Sequence, residues 1–263
     1  MHVRPSTDGD SGPRIEGGSV IEQFVDIDTG EGTMRTFVVA PERGGPYPVV
    51  AFLMDAPGMR EEIRDMSRRL ASSGYAVVSP HLYYRMVDHY NVFETGDRDR
   101  MFELMSSLSN EMVDRDITAA VAALDGVEGV DADTSRLGVV GYCMSGPFAV
   151  HFAGSDDRVA AAVSIHGVAL VTDAEDSPHR QLATASAEIY VGCAETDHYA
   201  PPEMVNAFDD ALAASGCDGE VEWYPGTEHG FAYAERPQYD RDASERHWER
   251  LHSLFRRRLH ATS

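Results

Sequence analysis

A chain of 263 residues, 43% of them hydrophobic, is long enough to bury the core of one large α/β domain or of two small ones. Its 44 acidic residues outnumber its 22 basic ones, and the net charge of −22 argues against nucleic acids and anionic membranes as partners. The odd count of three cysteines indicates a reducing compartment with a free thiol, not a disulfide framework. With a polar N-terminus and no long apolar run, the sequence predicts a soluble, cytoplasmic protein.

The first half of the chain predicts a hairpin followed by alternating strands and helices. Residues 1–18 are polar and are predicted to be a disordered tail, which leaves 19–263 as a single domain. Two alternating stretches joined by a Gly-containing turn predict an antiparallel hairpin at the edge of the sheet. The predicted strands cover residues 20–27, 34–40, 48–54 and 75–79, and the predicted helices cover 60–73, 100–107 and 110–124.

The second half continues the same alternation and fixes the predicted fold class. Strands are predicted at residues 137–141, 159–165, 187–191 and 220–224, and helices at 146–153, 202–214 and 240–259. Stretches 81–98 and 168–186 are predicted to be loops. This pattern predicts an α/β protein with one mostly parallel, twisted sheet and helices on both faces. Because chemistry in such sheets gathers at the carboxyl ends of the strands, catalytic residues should directly follow strands.

A cysteine, Cys143, stands at the turn between a predicted strand and a predicted helix. Around it, Gly141 and Ser145 give the spacing of a nucleophile elbow, G-x-nucleophile-x-G, with serine in place of the second glycine. Small residues are needed there because the turn brings the strand and helix backbones together. The helix N-terminus would favour a thiolate. The alternative is a buried structural cysteine in an ordinary turn.

Two further residues that directly follow predicted strands complete a candidate triad. They are Asp197 and His229, and the chain order of nucleophile, acid and histidine is that of α/β-hydrolases. The imidazole would take the thiol proton, and the carboxylate would hold the imidazole in position. Asp197 could instead be a loop carboxylate or a helix N-cap, and Glu195 is a competing candidate for the acid.

An oxyanion hole requires two backbone N–H groups near the nucleophile. One is expected from Met144, which follows Cys143, and the other from Ala56, in the loop after the strand at 48–54. The histidines do not form a set with metal-ligand spacing, so the sequence predicts a site without a metal ion or cofactor.

These motifs resemble the dienelactone hydrolase family of α/β-hydrolases (carboxymethylenebutenolidase), over roughly residues 20–258. The resemblance is carried by residues 55–58, 79–85, 141–146, 192–197 and 227–231. It implies an α/β-hydrolase fold and hydrolysis of a small ester or lactone through a thioester on Cys143.

The resemblance also implies roles for residues around the nucleophile. Asp55 stands where the family has a glutamate that is thought to take the thiol proton when substrate binds, and a loop-capping role is the alternative. Arg85 matches an arginine that pairs with the substrate carboxylate. A second arginine of the family corresponds here to Tyr233, and Arg236, three residues further on, is a candidate to compensate for it.

The pocket and its ligand are predicted in general terms. Aromatic residues in the loops suggest an aromatic-lined pocket, although they could equally belong to the core: Tyr83, Tyr84, Tyr90, Phe93, Phe231 and Tyr233. The expected partner is a small-molecule ester or lactone, and the expected assembly is a monomer or small homo-oligomer. The alternatives are that the same thiol serves dehalogenation, thioester or carbon–carbon bond cleavage, or that the fold is a non-catalytic binding scaffold.

Overall fold

The computed structural model describes residues 19–260, so the tail predicted over residues 1–18 lies outside the described part. The strands are β1 (Val20–Asp28), β2 (Thr33–Pro41), β3 (Tyr47–Leu53), β4 (Ala76–Pro80), β5 (Ala132–Tyr142), β6 (Val159–Ile165), β7 (Glu188–Thr196) and β8 (Gly219–Glu228). The helices are α1 (Glu61–Ala71), α2 (Val92–Thr95), α3 (Arg98–Ser106), α4 (Asn110–Ala123), α5 (Gly146–Ser155), α6 (Pro178–Gln181), α7 (Pro202–Ser215) and α8 (Arg241–Leu259).

All eight strands belong to one sheet, in the order β1-β2-β4-β3-β5-β6-β7-β8. The six strands from β3 to β8 pair in parallel, whereas β1 and β2 pair antiparallel at one edge, and β2 also joins β4 antiparallel. The predicted edge hairpin and the predicted mostly parallel sheet are therefore confirmed. The strand order reverses beside β3, where a doubly wound sheet opens a crevice at its carboxyl end.

Helices cover the sheet in two groups, which explains why the central strands are apolar along their whole length. α1 and α8 lie side by side. Arg69 on α1 pairs with Glu245 on α8 at 2.6 Å, and its guanidinium lies 4.5 Å from the centre of the Trp248 ring. The second group consists of α4, α5, α6 and α7, in which each helix contacts the next one along the chain. None of the helices described between residues 19 and 260 combines the length and apolarity that crossing a bilayer requires.

Two strands run further than their apolar pattern predicts. β7 continues to Thr196 and β8 to Glu228, and these two polar residues pair with each other across the strands. Backbone pairing, not side-chain burial, extends the strands here. The extension carries the chain directly to Asp197 and His229. Two four-residue helices, α2 and α6, lie within stretches predicted to be loops and are too short to show a hydrophobic period.

Two histidines, His81 and His247, are buried in the packed interior. His81 follows β4, and His247 lies on α8 with its Nε2 atom 3.1 Å from the Tyr142 hydroxyl oxygen. Burial lowers the pKa of His81 to about 4 and that of His247 to about 3, because an imidazolium would lose its hydration. Both side chains are therefore neutral in the folded protein near neutral pH.

We expect the free energy of unfolding to decrease as the pH falls from about 6.5 to about 5. In this range the unfolded chain binds a proton at each of these histidines, whereas the folded chain does not. Each histidine contributes a slope of up to about 1.4 kcal/mol per pH unit. Urea unfolding at a series of pH values measures this slope.

His247→Asn removes one of the histidines that are held neutral by burial, so its slope should be shallower than that of the parent, whatever constant loss of packing the exchange causes. Leu251→Ala, at a buried position without a titrating group on the same helix, is the matched control: it should lose packing energy and keep the parental slope. An unchanged slope in His247→Asn would mean that His247 is already protonated in the folded protein.

Candidate active site

The turn after β5 has the close backbone contacts of a nucleophile elbow. Cys143 has a φ of +54°, in the left-handed region that side chains other than glycine rarely adopt. A Cβ atom on Gly141 would lie 1.9 Å from the carbonyl oxygen of Ser145, and one on Gly146 would lie 2.4 Å from the Ser164 hydroxyl oxygen. Both positions therefore require glycine, and the strained turn leaves the Cys143 side chain partly exposed on the wall of a cavity.

Ser145, in place of the usual glycine, has a partner of its own. Its hydroxyl donates a hydrogen bond to the carbonyl oxygen of Met54, at the end of β3, and the side chain is fully buried. This bond ties the elbow to the neighbouring strand. The serine is accommodated because it is small and because its polar group is satisfied.

Asp197 and His229 meet at the ends of β7 and β8. The Nδ1 atom of His229 lies 2.6 Å from Oδ2 of Asp197. The other carboxylate oxygen of Asp197 accepts hydrogen bonds from the backbone N–H groups of Tyr199 and Ala200, which fix the carboxylate. The competing acid, Glu195, instead accepts a hydrogen bond from the backbone of Gly226. The imidazole is therefore held by Asp197.

The charge on His229 depends on both of its neighbours. Burial disfavours a charged imidazole, but the hydrogen bond to Asp197, the neighbouring Cys143 sulfur and the negative charge of Asp197 outweigh that cost and raise the pKa of His229 to about 9. The imidazolium form is therefore favoured at neutral pH. Cys143 and His229 lie on the wall of the same cavity.

A second histidine packs against this pair. The ring of His166 lies with its centre 4.8 Å from the centre of the His229 ring, and the residue is buried with a φ of +38°. Burial and the nearby positive charge of His229 hold the pKa of His166 well below its usual value. His166 is thus a neutral neighbour of His229.

The two expected oxyanion-hole residues are linked by a tyrosine. The hydroxyl of Tyr83 donates a hydrogen bond to the carbonyl oxygen of Ala56 at 2.9 Å, and its oxygen lies 3.1 Å from the Met144 sulfur. Ala56 also lines the cavity that contains Cys143. The sequence indicated Tyr83 only as an aromatic residue of the pocket, because nothing in its spacing shows which loop its hydroxyl reaches.

Asp55 lies at the centre of a buried cluster of charges. Both of its carboxylate oxygens accept hydrogen bonds from Arg60, and one also accepts from Arg236 at 2.6 Å. Arg60 in turn pairs with Glu235, and the Tyr233 ring lies about 5 Å from both guanidinium groups. The cluster contains two positive and two negative charges. Arg60 was not singled out in the sequence, where it is the first residue of a predicted helix.

The structure does not bring Arg85 or Tyr84 to the cavity. Arg85 forms a two-pronged ion pair with the buried Asp116 on α4 and also pairs with Glu31. The hydroxyl of Tyr84 is 2.9 Å from Asp116 and from Thr29. The expected role of Arg85 in holding a substrate carboxylate conflicts with this placement, because these partners hold its guanidinium elsewhere.

Phe231 and Tyr233 are fully buried behind the site and do not line the cavity. Phe231 stacks on Tyr224, and Tyr233 packs between the two arginines of the Asp55 cluster. Arg236, three residues beyond Tyr233, does reach the cavity wall. The expectation that Phe231 and Tyr233 contact substrate is thus replaced by a supporting role in packing.

The cavity beside Cys143 has a volume of about 520 Å³. Its lining consists of Ala56, Pro57, Val92, Phe93, Arg98, Met101, Phe102, Met105, Cys143, Val168, Ala169, Val171, Thr172, Tyr199, Pro201, Met204, His229 and Arg236. The contribution of α3 was missed in the sequence, where its side chains follow no catalytic motif. The signal that could have found it is the presence of large apolar residues on the exposed side of a charged helix.

Residues 34–259 match the profile of the dienelactone hydrolase family. A protein of Methylorubrum extorquens, provisionally named carboxymethylenebutenolidase, is 30% identical over 236 residues, which are 88% of this chain and 79% of that protein. A protein of Escherichia coli K12 with the same provisional name is 28% identical over 248 residues, 90% and 88% of the two chains. The crystal structure of a protein from Klebsiella pneumoniae, provisionally titled a dienelactone hydrolase, has a TM-score of 0.82 at 25% identity and covers 90% of this chain and 99% of that one.

We expect Asp197→Asn to lower the pKa of His229 below about 9. The asparagine keeps the shape of the side chain but removes the negative charge that favours the imidazolium. NMR of the protein labelled at histidine follows the titration, with the His229 resonance identified by its loss in His229→Gln.

Glu195→Gln is the matched control, because it removes a carboxylate two residues away that is bonded to Gly226 and not to the imidazole. Its His229 titration should stay as in the parent. A larger shift in Glu195→Gln than in Asp197→Asn would contradict the assignment of Asp197 as the partner of the imidazole.

Proposed function

The chain belongs to the dienelactone hydrolase family, and we propose that it hydrolyses small carboxylic esters or lactones through Cys143, His229 and Asp197. The observation that carries the proposal is the position of His229, whose ring is hydrogen-bonded to Asp197 and lies with Cys143 on the wall of one cavity. A nucleophile, a base and a carboxylate that orients the base are the requirements of covalent acyl transfer.

The first half of the reaction transfers the acyl group to Cys143. His229 takes the thiol proton of Cys143, and the sulfur attacks the ester carbonyl carbon as a thiolate. The carbonyl oxygen becomes an oxyanion. When the tetrahedral intermediate collapses, the bond to the leaving oxygen breaks and the imidazolium gives that oxygen its proton. The products are a free alcohol and a thioester on Cys143.

The second half hydrolyses the thioester. His229 is now neutral and takes a proton from water as the water oxygen attacks the thioester carbonyl carbon. Collapse of this intermediate breaks the carbon–sulfur bond, releases the carboxylic acid and restores the thiolate and imidazolium. A cytoplasmic location, as predicted from the cysteine count, would keep Cys143 reduced between turnovers.

The backbone N–H groups of Met144 and Ala56 are assigned to the oxyanion. Met144 lies in the turn directly before α5, so its N–H is close to the start of a helix, where partial positive charge accumulates. The Tyr83 hydroxyl contacts both residues and supports their position. Tyr83 is therefore a positioning residue and not a catalytic one.

Asp55 is assigned to charge neutralisation and not to proton transfer. Its carboxylate is fully buried and engaged by Arg60 and Arg236. If Asp55 took the thiol proton, the two guanidinium groups would share a single counter-charge, Glu235, in a largely buried position, which is unfavourable. The thiol proton is held by His229 in this assignment.

His229→Gln is expected to accumulate the acyl-enzyme with p-nitrophenyl acetate. Without the imidazole both steps slow, but deacylation slows more, because p-nitrophenolate leaves without a proton whereas water needs a base, and turnover falls by roughly 10²–10⁴-fold. Mass spectrometry should find one acetyl group on Cys143, and stopped-flow absorbance should show about one equivalent of p-nitrophenol released per site.

Cys143→Ala should show neither the acetyl group nor the burst. Cys217→Ala, which removes a thiol at the end of α7, is the matched control and should keep the parental turnover. Unchanged turnover in Cys143→Ala, or a burst that persists there, would overturn the proposed reaction.

Asp55→Asn is expected to lower the free energy of unfolding by about 3 kcal/mol, because it leaves buried arginines without one counter-charge. Urea unfolding measures the loss. The rate at which iodoacetamide alkylates Cys143 in the folded protein should stay as in the parent. A large fall in that rate with unchanged stability would instead make Asp55 the acceptor of the thiol proton.

The alternative reactions of the same thiol are separated by their products. Dehalogenation would release halide, and cleavage of a coenzyme thioester would release a thiol. A binding scaffold would bind an ester without acylating Cys143. The acetyl group on Cys143 is therefore the measurement that distinguishes a hydrolase from the scaffold.

A further inference from the structure

The cavity beside Cys143 is walled by apolar side chains from three separate parts of the fold. α3 contributes Met101 and Met105, the loop after β6 contributes Val171, and α7 contributes Met204. Methionine side chains adapt to irregular apolar shapes. The volume of about 520 Å³ falls within the range of roughly 300–1,000 Å³ for small-molecule sites. An acyl group attached to Cys143 would therefore leave water for an apolar surface.

Exposed aromatic side chains mark the mouth of the same cavity. Six large apolar residues among those described are prominently exposed, and three of the six line this cavity. These three are Phe93, at 55% exposure, Phe102, at 40%, and Tyr199, at 41%. Apolar surface that gathers at one opening, and is not scattered, marks a binding site for an apolar ligand.

The guanidinium group of Arg236, which reaches the cavity wall, is already neutralised by neighbouring carboxylates. Arg236 donates to Asp55, Asp55 is also bonded to Arg60, and Arg60 is paired with Glu235. The four charges sum to zero. A substrate carboxylate placed beside Arg236 would add an unmatched negative charge next to Asp55, and like charges in a desolvated site repel strongly.

The remaining arginines do not provide a clamp for a carboxylate. Arg85 is held by Asp116 and Glu31, away from the cavity. Arg98 lines the cavity at the start of α3 but is exposed to solvent, where a single charge contributes little. The net charge of −22 further disfavours the approach of an anion.

Building on the proposed function, we infer that the site is selective for esters with an uncharged, apolar acyl group, such as a medium-length alkyl or an aryl group, and discriminates against acyl groups that carry a carboxylate. The acyl group would lie between α3 and α7, with Phe102 at the mouth. The apolar wall provides affinity for an apolar acyl group. The arginines are already neutralised by Asp55 and Glu235, so they do not favour an acyl group with a carboxylate.

A matched pair of substrates tests this inference on the full-length protein. p-Nitrophenyl hexanoate and the mono-p-nitrophenyl ester of adipic acid share the leaving group and a similar chain length, and differ in a terminal methyl or carboxylate. We expect kcat/KM for the hexanoate to exceed that for the adipate by about tenfold or more, which corresponds to about 1.4 kcal/mol. We also expect kcat/KM to rise from the acetate to the hexanoate.

A variant at the mouth of the cavity tests whether the preference for the hexanoate arises there. Phe102→Ser should lower kcat/KM for the hexanoate several-fold more than that for the acetate, because the longer chain has more contact with α3. Phe102 is partly exposed, so the exchange spares the core. Met86→Ser removes an exposed apolar side chain outside the cavity and should change neither value.

The outcomes separate this inference from the proposed function. If neither ester acylates Cys143, the proposed function fails and the inference fails with it. If esters are hydrolysed but the adipate is used as well as the hexanoate or better, the function stands and the inference is overturned. Equal loss of acetate and hexanoate hydrolysis in Phe102→Ser would also overturn the assignment of the acyl site to α3.

Discussion

The contact between the Gly141 backbone and the Ser145 carbonyl group is the constraint on which the geometry of the site depends. The strand and the helix approach so closely there that no Cβ atom fits, and the chain can turn only with Cys143 in the left-handed region. That strain has to be held by the surrounding structure. β3, β5 and β6 hold it through their parallel pairing, and the Ser145 hydroxyl bond to Met54 adds a further link.

The other two members of the proposed triad are brought side by side by backbone pairing. β7 and β8 remain paired as far as Thr196 and Glu228, so Asp197 and His229 leave the sheet side by side. The Asp197 carboxylate is then fixed by two backbone N–H groups, and it fixes the imidazole in turn. The backbone positions of Asp197 and His229 are thus set by rigid strands, and only their side-chain rotamers depend on local contacts.

The sequence predicted the features that depend on local pattern and missed those that depend on distant partners. The sheet, the edge hairpin and the strand-end positions of Cys143, Asp197 and His229 follow from periodicity and from the rule that parallel strands end at one edge. The direction of Arg85 does not, because it is decided by Asp116 on a helix thirty-one residues further along the chain. Likewise α2, with four residues, is defined by its caps and not by a hydrophobic period.

Because Asp55 is the buried counter-ion of two arginines, a single substitution at this position could make the cavity favour acyl groups that carry a carboxylate. Arg60 and Arg236 are already in place, and one of them already reaches the cavity wall. Exchanging the aspartate for a neutral residue would create an anion-binding surface and destabilise the fold in the same step. A change of acyl specificity by this route therefore depends on the free energy of unfolding. The fold must be stable enough to tolerate one unpaired buried charge.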